Sequence, residues 1–394
     1  MNQAGFSLND QQREIVSLFR SFGERVFTKE SVGQWSIDQG LPDEVVQEFV
    51  KLYFSSVGSL TSKNVLMMQA LILEELCRCA GAALPFQTDL FGLQIMAAFS
   101  SRNAFDVVYE DYRVSGRVMF ALAVTEPHAG SDTMNMRTSV NTVDGKLILN
   151  GKKTFVNNGE YAPNLLVAAI DGDCQDEGMR YPALSFWLIP RNLKGITAAP
   201  INKIGQSMLP FANVSFENVE MKPEYRLTGN GIGFPELFDI LQCGRVFTCA
   251  ASLGMAQAAM EDAARYAAKR QAFGSSLDNF QLIGQKLTDM EMTLWNMRYL
   301  MYAATEKMAA DAPDKRLAAA LMKRYVPQAA TKVASEAMQI FGGVGYTDDS
   351  RVSHIWQDCR GNQMAEGTDE IMVRIATPLI VKKYASDDLG EKAE

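Results

Sequence analysis

Apolar positions change their spacing twice along the chain. Near the N-terminus Ser7-Leu8-Asn9-Asp10 offers a helix start, and Ile15, Leu18, Phe19, Phe22 and Val26 follow at three- and four-residue steps. Those steps put an apolar stripe on one face of a helix. A second apolar helix is predicted from Val65 to Leu73. In the central third the pattern becomes strand-like: Val118 to Val124, Ser139 to Val143, Lys146 to Leu149, Leu165 to Ile170, Leu184 to Ile189 and Asn213 to Phe216. Asp144-Gly145, between the second and third of these, is a two-residue hairpin signal. Gly229-Asn230-Gly231-Ile232-Gly233 punctuates the exit, after which Ile283, Leu287, Met290 and Leu294 return to helical spacing.

Helices, then strands, then helices predict an α+β protein rather than a doubly wound one. The expected parts are a helical N-terminal domain over 1–116, an antiparallel β middle domain over 117–228 and a helical C-terminal bundle over 229–394. The Gly229 segment is no dinucleotide fingerprint, because no βαβ alternation surrounds it.

Composition narrows the classes. A chain of 394 residues exceeds one compact core, and 47% hydrophobic with 21% charged residues is ordinary for a folded protein. A net charge of −8 argues against nucleic acid as a partner. Cys77, Cys79, Cys174, Cys243, Cys249 and Cys359 are scattered, and Cys77-Arg78-Cys79 has one residue between its sulfurs, too few for a zinc half-site. With His128 and His354 the only histidines, no metal site is expected. Met1 to Phe6 lacks a basic and an apolar signal region, and no charge-free run reaches membrane-spanning length, so a soluble, cytoplasmic protein without membrane insertion is expected.

Several segments are dense in turn formers and reactive groups. Val124-Thr125-Glu126-Pro127-His128-Ala129-Gly130-Ser131-Asp132 follows a strand and offers backbone N–H groups and hydroxyls to a planar heteroaromatic or a phosphate. A β-turn with local Asx and Ser bonds explains it equally well. Gly151-Lys152-Lys153-Thr154-Phe155-Val156-Asn157-Asn158-Gly159 reads as a strand ending in turn residues. Arg270-Gln271-Ala272-Phe273-Gly274 and Phe280-Gln281 join two helices; the guanidinium can clamp a pyrophosphate bidentately, or cap a helix C-terminus. Gln339-Ile340-Phe341-Gly342-Gly343-Val344-Gly345-Tyr346 is a Gly-rich turn after an amphipathic helix, suited to close approach of a cofactor and equally to a plain helix cap. Met364-Ala365-Glu366-Gly367-Thr368-Asp369-Glu370-Ile371 places Glu366 on a turn ahead of a helix, where Asp369 and Glu370 complement the helix dipole.

In this order the segments resemble the acyl-CoA dehydrogenase family over nearly the whole chain. The resemblance implies a β-barrel-like middle domain, a C-terminal four-helix bundle, FAD as cofactor, and an acyl-CoA oxidised to a 2,3-enoyl-CoA. It implies Glu366 as the α-proton base. For FAD it implies Val124, Thr125, Gly130, Ser131, Phe155 and Asn157 on one side, Arg270, Phe273, Phe280 and Gln281 on another, and Gln339, Gly342, Gly343, Thr368 and Glu370 besides. For the acyl-CoA it implies Ser131, Gln242, Arg245 and Gly367. Some members carry their base just before the Arg that matches Arg245; here that position is Gly244, which adds weight to Glu366.

The resemblance further implies a homotetramer whose Gln339-to-Gly345 turn reaches a neighbour's FAD, and an electron-transferring flavoprotein as acceptor. Departures are His128 in place of a Gly, Asn157 in place of Thr or Ser at the flavin N5 position, and Ser207 where an Arg is common. Ser55 to Leu60 and Arg102 to Phe105 replace the usual N-terminal loops, in a domain that reads as shortened. The residues alone leave open the same fold running as an enoyl-CoA reductase or acyl-CoA oxidase, or serving as a non-catalytic subunit.

Overall fold

The computed structural model describes residues 8–57, 64–99, 108, 110, 117–172, 183–228 and 234–385. Ser7, Ser59, Cys174, the Arg102-to-Phe105 segment and the Gly229-to-Gly233 segment lie outside these residues.

Among the described residues the N-terminal part holds helices α1 (Asp10–Val26), α2 (Lys29–Asp38), α3 (Asp43–Ser56), α4 (Val65–Ala80) and α5 (Phe86–Phe99). Asn9 caps α1: its side chain accepts the Gln12 N–H at 2.9 Å while the Gln12 side chain accepts the Asn9 N–H at 2.9 Å. This reciprocal pair satisfies two otherwise orphaned donors. Helix α4 is buried nearly all round, so its carboxylates need partners. Glu74 accepts from Arg298 at 3.0 Å and from the Tyr302 hydroxyl at 2.7 Å; Glu75 accepts from Arg20 at 2.8 Å and Arg78 at 2.6 Å.

The central part is a sheet of β1 (Phe120–Ala123), β2 (Ser139–Val143), β3 (Lys146–Asn157), β4 (Asn164–Asp171), β5 (Leu184–Pro190), β6 (Ile196–Ile201) and β7 (Phe211–Met221). Its order is β1-β4-β2-β3-β7-β6, with β5 also paired to β4. The β2–β3 hairpin turns at Asp144-Gly145, φ 50° and 77°, as that dipeptide predicts.

The antiparallel expectation needs correcting, because the sheet is mixed. Strand β4 pairs β1 in parallel over Asn164–Val167 and β2 in parallel over Ile170–Asp171, with β5 antiparallel on its other edge. Strand order along the chain cannot reveal this, since a strand's own residues do not say which strand lies beside it. Strand β6 also escaped the periodicity: it is a sheet edge containing Ala198-Ala199-Pro200, and an edge tolerates the missing proline N–H.

The C-terminal part holds α6 (Phe234–Lys269), a two-stranded turn of β8 (Gln271–Ala272) and β9 (Ser275–Ser276), α7 (Gln281–Ala309), α8 (Lys315–Phe341), α9 (Arg351–Asn362) and α10 (Asp369–Ala385). Met290 and Leu294 of the predicted α7 stripe are buried. Buried Asp358 of α9 ties the three parts together. It accepts the N–H of Ala83, after α4, at 2.9 Å and the N–H of Gln206, before β7.

Candidate active site

The Glu366 turn joins α9 to α10. Glu366 and Gly367 both have positive φ, 55° and 96°. Glycine adopts this region freely, but for glutamate it is uncommon and must be held by its surroundings. Two cations from separate helices hold consecutive carbonyls. Arg245 Nε of α6 donates to the Glu366 carbonyl at 3.3 Å, and Lys323 Nζ of α8 donates to the Gly367 carbonyl at 3.1 Å. Arg245 is 6% exposed and Lys323 is fully buried.

The Glu366 side chain lies over α6. A Cβ built on Gly244 would sit 2.6 Å from Glu366 Oε2 and 2.8 Å from a ring carbon of Phe91, on α5. Burial pushes the Glu366 carboxyl up to about 7, against the pull of Arg245 and Lys323. Burial likewise lowers both cations from their ordinary ranges, with Glu366 opposing in each case. On the same helix, Gln242 donates to Asp239 at 2.7 Å, leaving its buried Oε1 with no partner among the described residues.

A second cluster sits on the sheet. Buried Lys153 of β3 reaches across to the first loop, donating to the Val124 carbonyl at 2.8 Å and to Glu126 Oε1 at 2.9 Å. Glu126 also accepts the backbone N–H groups of Arg137 at 2.8 Å and Thr138 at 2.9 Å, and the Thr154 N–H donates to the Thr125 carbonyl at 2.9 Å. Val124 and Thr125 are thereby tied to Lys153 and Thr154, just ahead of Phe155 on the same strand. Gly130 and Ser131 are exposed on the same loop. Phe155, at φ 54°, leaves 57% of its surface open beside Phe211, and Asn157 Oδ1 is buried without a partner among the described residues. An open aromatic next to an orphaned amide fits a planar, hydrogen-bonding group laid over this strand.

A third cluster occupies the end of the bundle. Arg270 follows α6, and Phe273-Gly274 turn the β8–β9 hairpin at φ 52° and 78°, leaving Phe273 98% exposed. Phe273 meets Phe280 edge-on, with centroids 6.2 Å apart, and Gln281 begins α7. The Gln339 and Gly342-Gly343 turn is brought to the same end by stacking of Tyr266 on Phe341, with centroids 4.2 Å apart. Thr368 and Glu370 stand at the start of α10, where Glu370's own backbone N–H and the Thr368 hydroxyl hold the Glu370 carboxyl below its ordinary range.

The profile described as "Acyl-CoA dehydrogenase, middle domain" matches residues 121–219, and that described as "Acyl-CoA dehydrogenase, C-terminal domain" matches residues 231–378. The chain belongs to the acyl-CoA dehydrogenase family. It is 32% identical over 385 residues to the "Probable acyl-CoA dehydrogenase YdiO" of Escherichia coli strain K12, covering 96% of this chain and 99% of that one. The acyl-CoA dehydrogenase structure from Slackia heliotrinireducens DSM 20476 is 50% identical, with TM-score 0.85 over 96% of this chain and 98% of that one. Butyryl-CoA dehydrogenase from Megasphaera elsdenii is 27% identical, with TM-score 0.83 over 95% and 99%. A glutaryl-CoA dehydrogenase from Mycobacterium smegmatis in complex with FADH2 has the same fold, with TM-score 0.83, 22% identity and 95% of each chain covered. As a member of this family the chain is an oxidoreductase of the acyl-CoA dehydrogenase type, and FAD is the family's cofactor. No helix of the described residues is long and apolar enough to cross a membrane.

The structure adds Lys323, Phe91 and the Glu126–Lys153 pair to these clusters. Lys323 stands next to Arg324 in the sequence, and nothing local marks it as the buried one of the two. The other two become visible only when distant segments meet.

Proposed function

We propose that this acyl-CoA dehydrogenase oxidises an acyl-CoA thioester to the 2,3-enoyl-CoA, with Glu366 as the base that takes the α-proton. One observation carries this reading: a carboxyl raised to about 7 lies over α6 on a turn that two buried cations hold. A base is most effective when its pKa lies near the working pH, so that it is largely ionised yet still basic. FAD, when bound, supplies the acceptor for the hydride that leaves the β-carbon.

The chain's own residues do the rest. Val124, Thr125, Phe155 and Asn157 hold the isoalloxazine, with Gly130 and Ser131 beside it. Arg270 clamps the pyrophosphate, Phe273 and Phe280 cover the adenine side, and Gln281, Gln339, Gly342, Gly343, Thr368 and Glu370 complete the cradle. Ser131, Gln242, Arg245 and Gly367 line the acyl-CoA. The Glu366 backbone N–H polarises the thioester carbonyl, which acidifies the α-proton.

In a homotetramer the Gln339-to-Gly345 turn serves a neighbour's FAD. Electrons leave to an electron-transferring flavoprotein. Five free thiols among the described residues support a reducing, cytoplasmic setting. The reading is tested by mixing the yellow protein anaerobically with acyl-CoAs, from butyryl to aromatic, and following loss of visible absorbance. Bleaching by at least one thioester, abolished in Glu366→Gln, is expected. Equal bleaching in that variant removes Glu366 from the role.

A further inference from the structure

Lys323 is a fully buried lysine whose Nζ hydrogen-bonds backbone carbonyls, those of Gly367 at 3.1 Å and Gln363 at 3.4 Å. Burying an ammonium is costly unless its donors are used and a counter-charge is near. Both carbonyls belong to the turn that carries Glu366, one on either side of it. Across that turn Arg245 takes the Glu366 carbonyl at 3.3 Å. The two cations therefore fix neighbouring peptide planes in a segment whose positive φ values, 55° and 96°, would otherwise relax. We propose that Lys323 is a positioning residue for this site, acting through the Gly367 carbonyl to hold the Glu366 turn in its working conformation. The inference rests on Glu366 being the base.

Charge gives Lys323 a second effect on the same group. The charges acting on the Glu366 carboxyl are Arg245 and Lys323. Those acting on Lys323 are Asp369, Glu366 and Arg245, while the neighbouring Cys249 thiol is kept protonated by burial, and Arg316 acts on Arg245. Asp369 is itself 3.5 Å from Arg324. Without Lys323, Arg245 alone opposes the burial of Glu366, so the carboxyl keeps its proton to higher pH. A lysine that served packing alone would leave the ionisation of Glu366 where it is.

The test compares Lys323→Met, Lys323→Gln and Glu366→Gln with the parent, reading FAD absorbance, melting temperature, acyl-CoA binding, and bleaching rate against pH. Lys323→Met, which keeps the length and loses the charge, should bind acyl-CoA as before and bleach roughly 10–100-fold more slowly, the cost of a misplaced reacting group. Its acid limb should move to higher pH. Lys323→Gln, which keeps a donor but no charge, should show the same moved limb with part of the rate restored. An unmoved limb, a parental rate in Lys323→Met, or loss of fold and FAD in both lysine variants overturns the proposal. If Glu366→Gln bleaches normally, the base assignment fails instead, whatever the lysine variants do.

Discussion

Gly244 and Glu366 lie 122 positions apart in sequence, yet a Cβ on Gly244 would stand 2.6 Å from Glu366 Oε2. The residue before Arg245 and the acid of the last turn thus compete for one volume. A side chain in one place excludes the other.

Gly244→Ala should therefore displace the carboxyl or Phe91, whose ring carbon lies 2.8 Å from the same point. A shift on the order of 1 Å at a reacting group can cost about 10²-fold. Rapid-mixing measurement of flavin bleaching should find such a loss with FAD content unchanged; a parental rate would mean that the carboxyl is not confined there.

Glu366→Gln should lower the bleaching rate by roughly 10²–10⁴-fold, the usual contribution of a general base. In the parent, the rate should rise as pH climbs through about 7, where the carboxyl loses its proton. Stability runs the other way. The folded-state value lies above the unfolded value of about 4.3, so stability is fullest below that value and falls as pH rises towards 7. Thermal melts should find the Gln variant more stable than the parent above pH 7, with the difference closing near pH 4.

Arg270→Ala should weaken FAD retention by about 1.5–3 kcal/mol, the worth of a hydrogen bond to a charged group. The parent should purify yellow with about one FAD per chain. Absorbance after gel filtration at falling protein concentration compares the two; a variant that keeps its colour as well as the parent rules out the clamp.

Gly343→Trp isolates the contribution of the neighbour. A Cβ at Gly343 meets none of the described residues within 4 Å, so the substitution starts into open space in the monomer. Loss of FAD together with assembly, read by sizing chromatography, is the expected result. A yellow, fully assembled variant would place the turn away from any shared site.

Much of the architecture was legible along the chain. The capping residues before α1, the Asp144-Gly145 hairpin and the Met290 and Leu294 stripe of α7 are local signals, settled by residues within a few positions of one another. The turn that carries Glu366 could be located from its Gly and from the first-turn acids of α10. Strand β6 and the parallel pairs of β4 could not be found this way, because neither proline at an edge nor strand order reports who the partner is.

By itself the sequence determined the three-part succession of helices, strands and helices, and the order of the motifs that marks the family. Only the tertiary structure decided what surrounds the acid. Gly244, Phe91, Arg245 and Lys323 come from three different helices and meet Glu366 across long separations. Helical propensity and hydrophobic spacing act over a few residues, whereas burial and the field of nearby charges act through space. The position of Glu366 could therefore be read from the chain, but the environment that raises its carboxyl to about 7 could not.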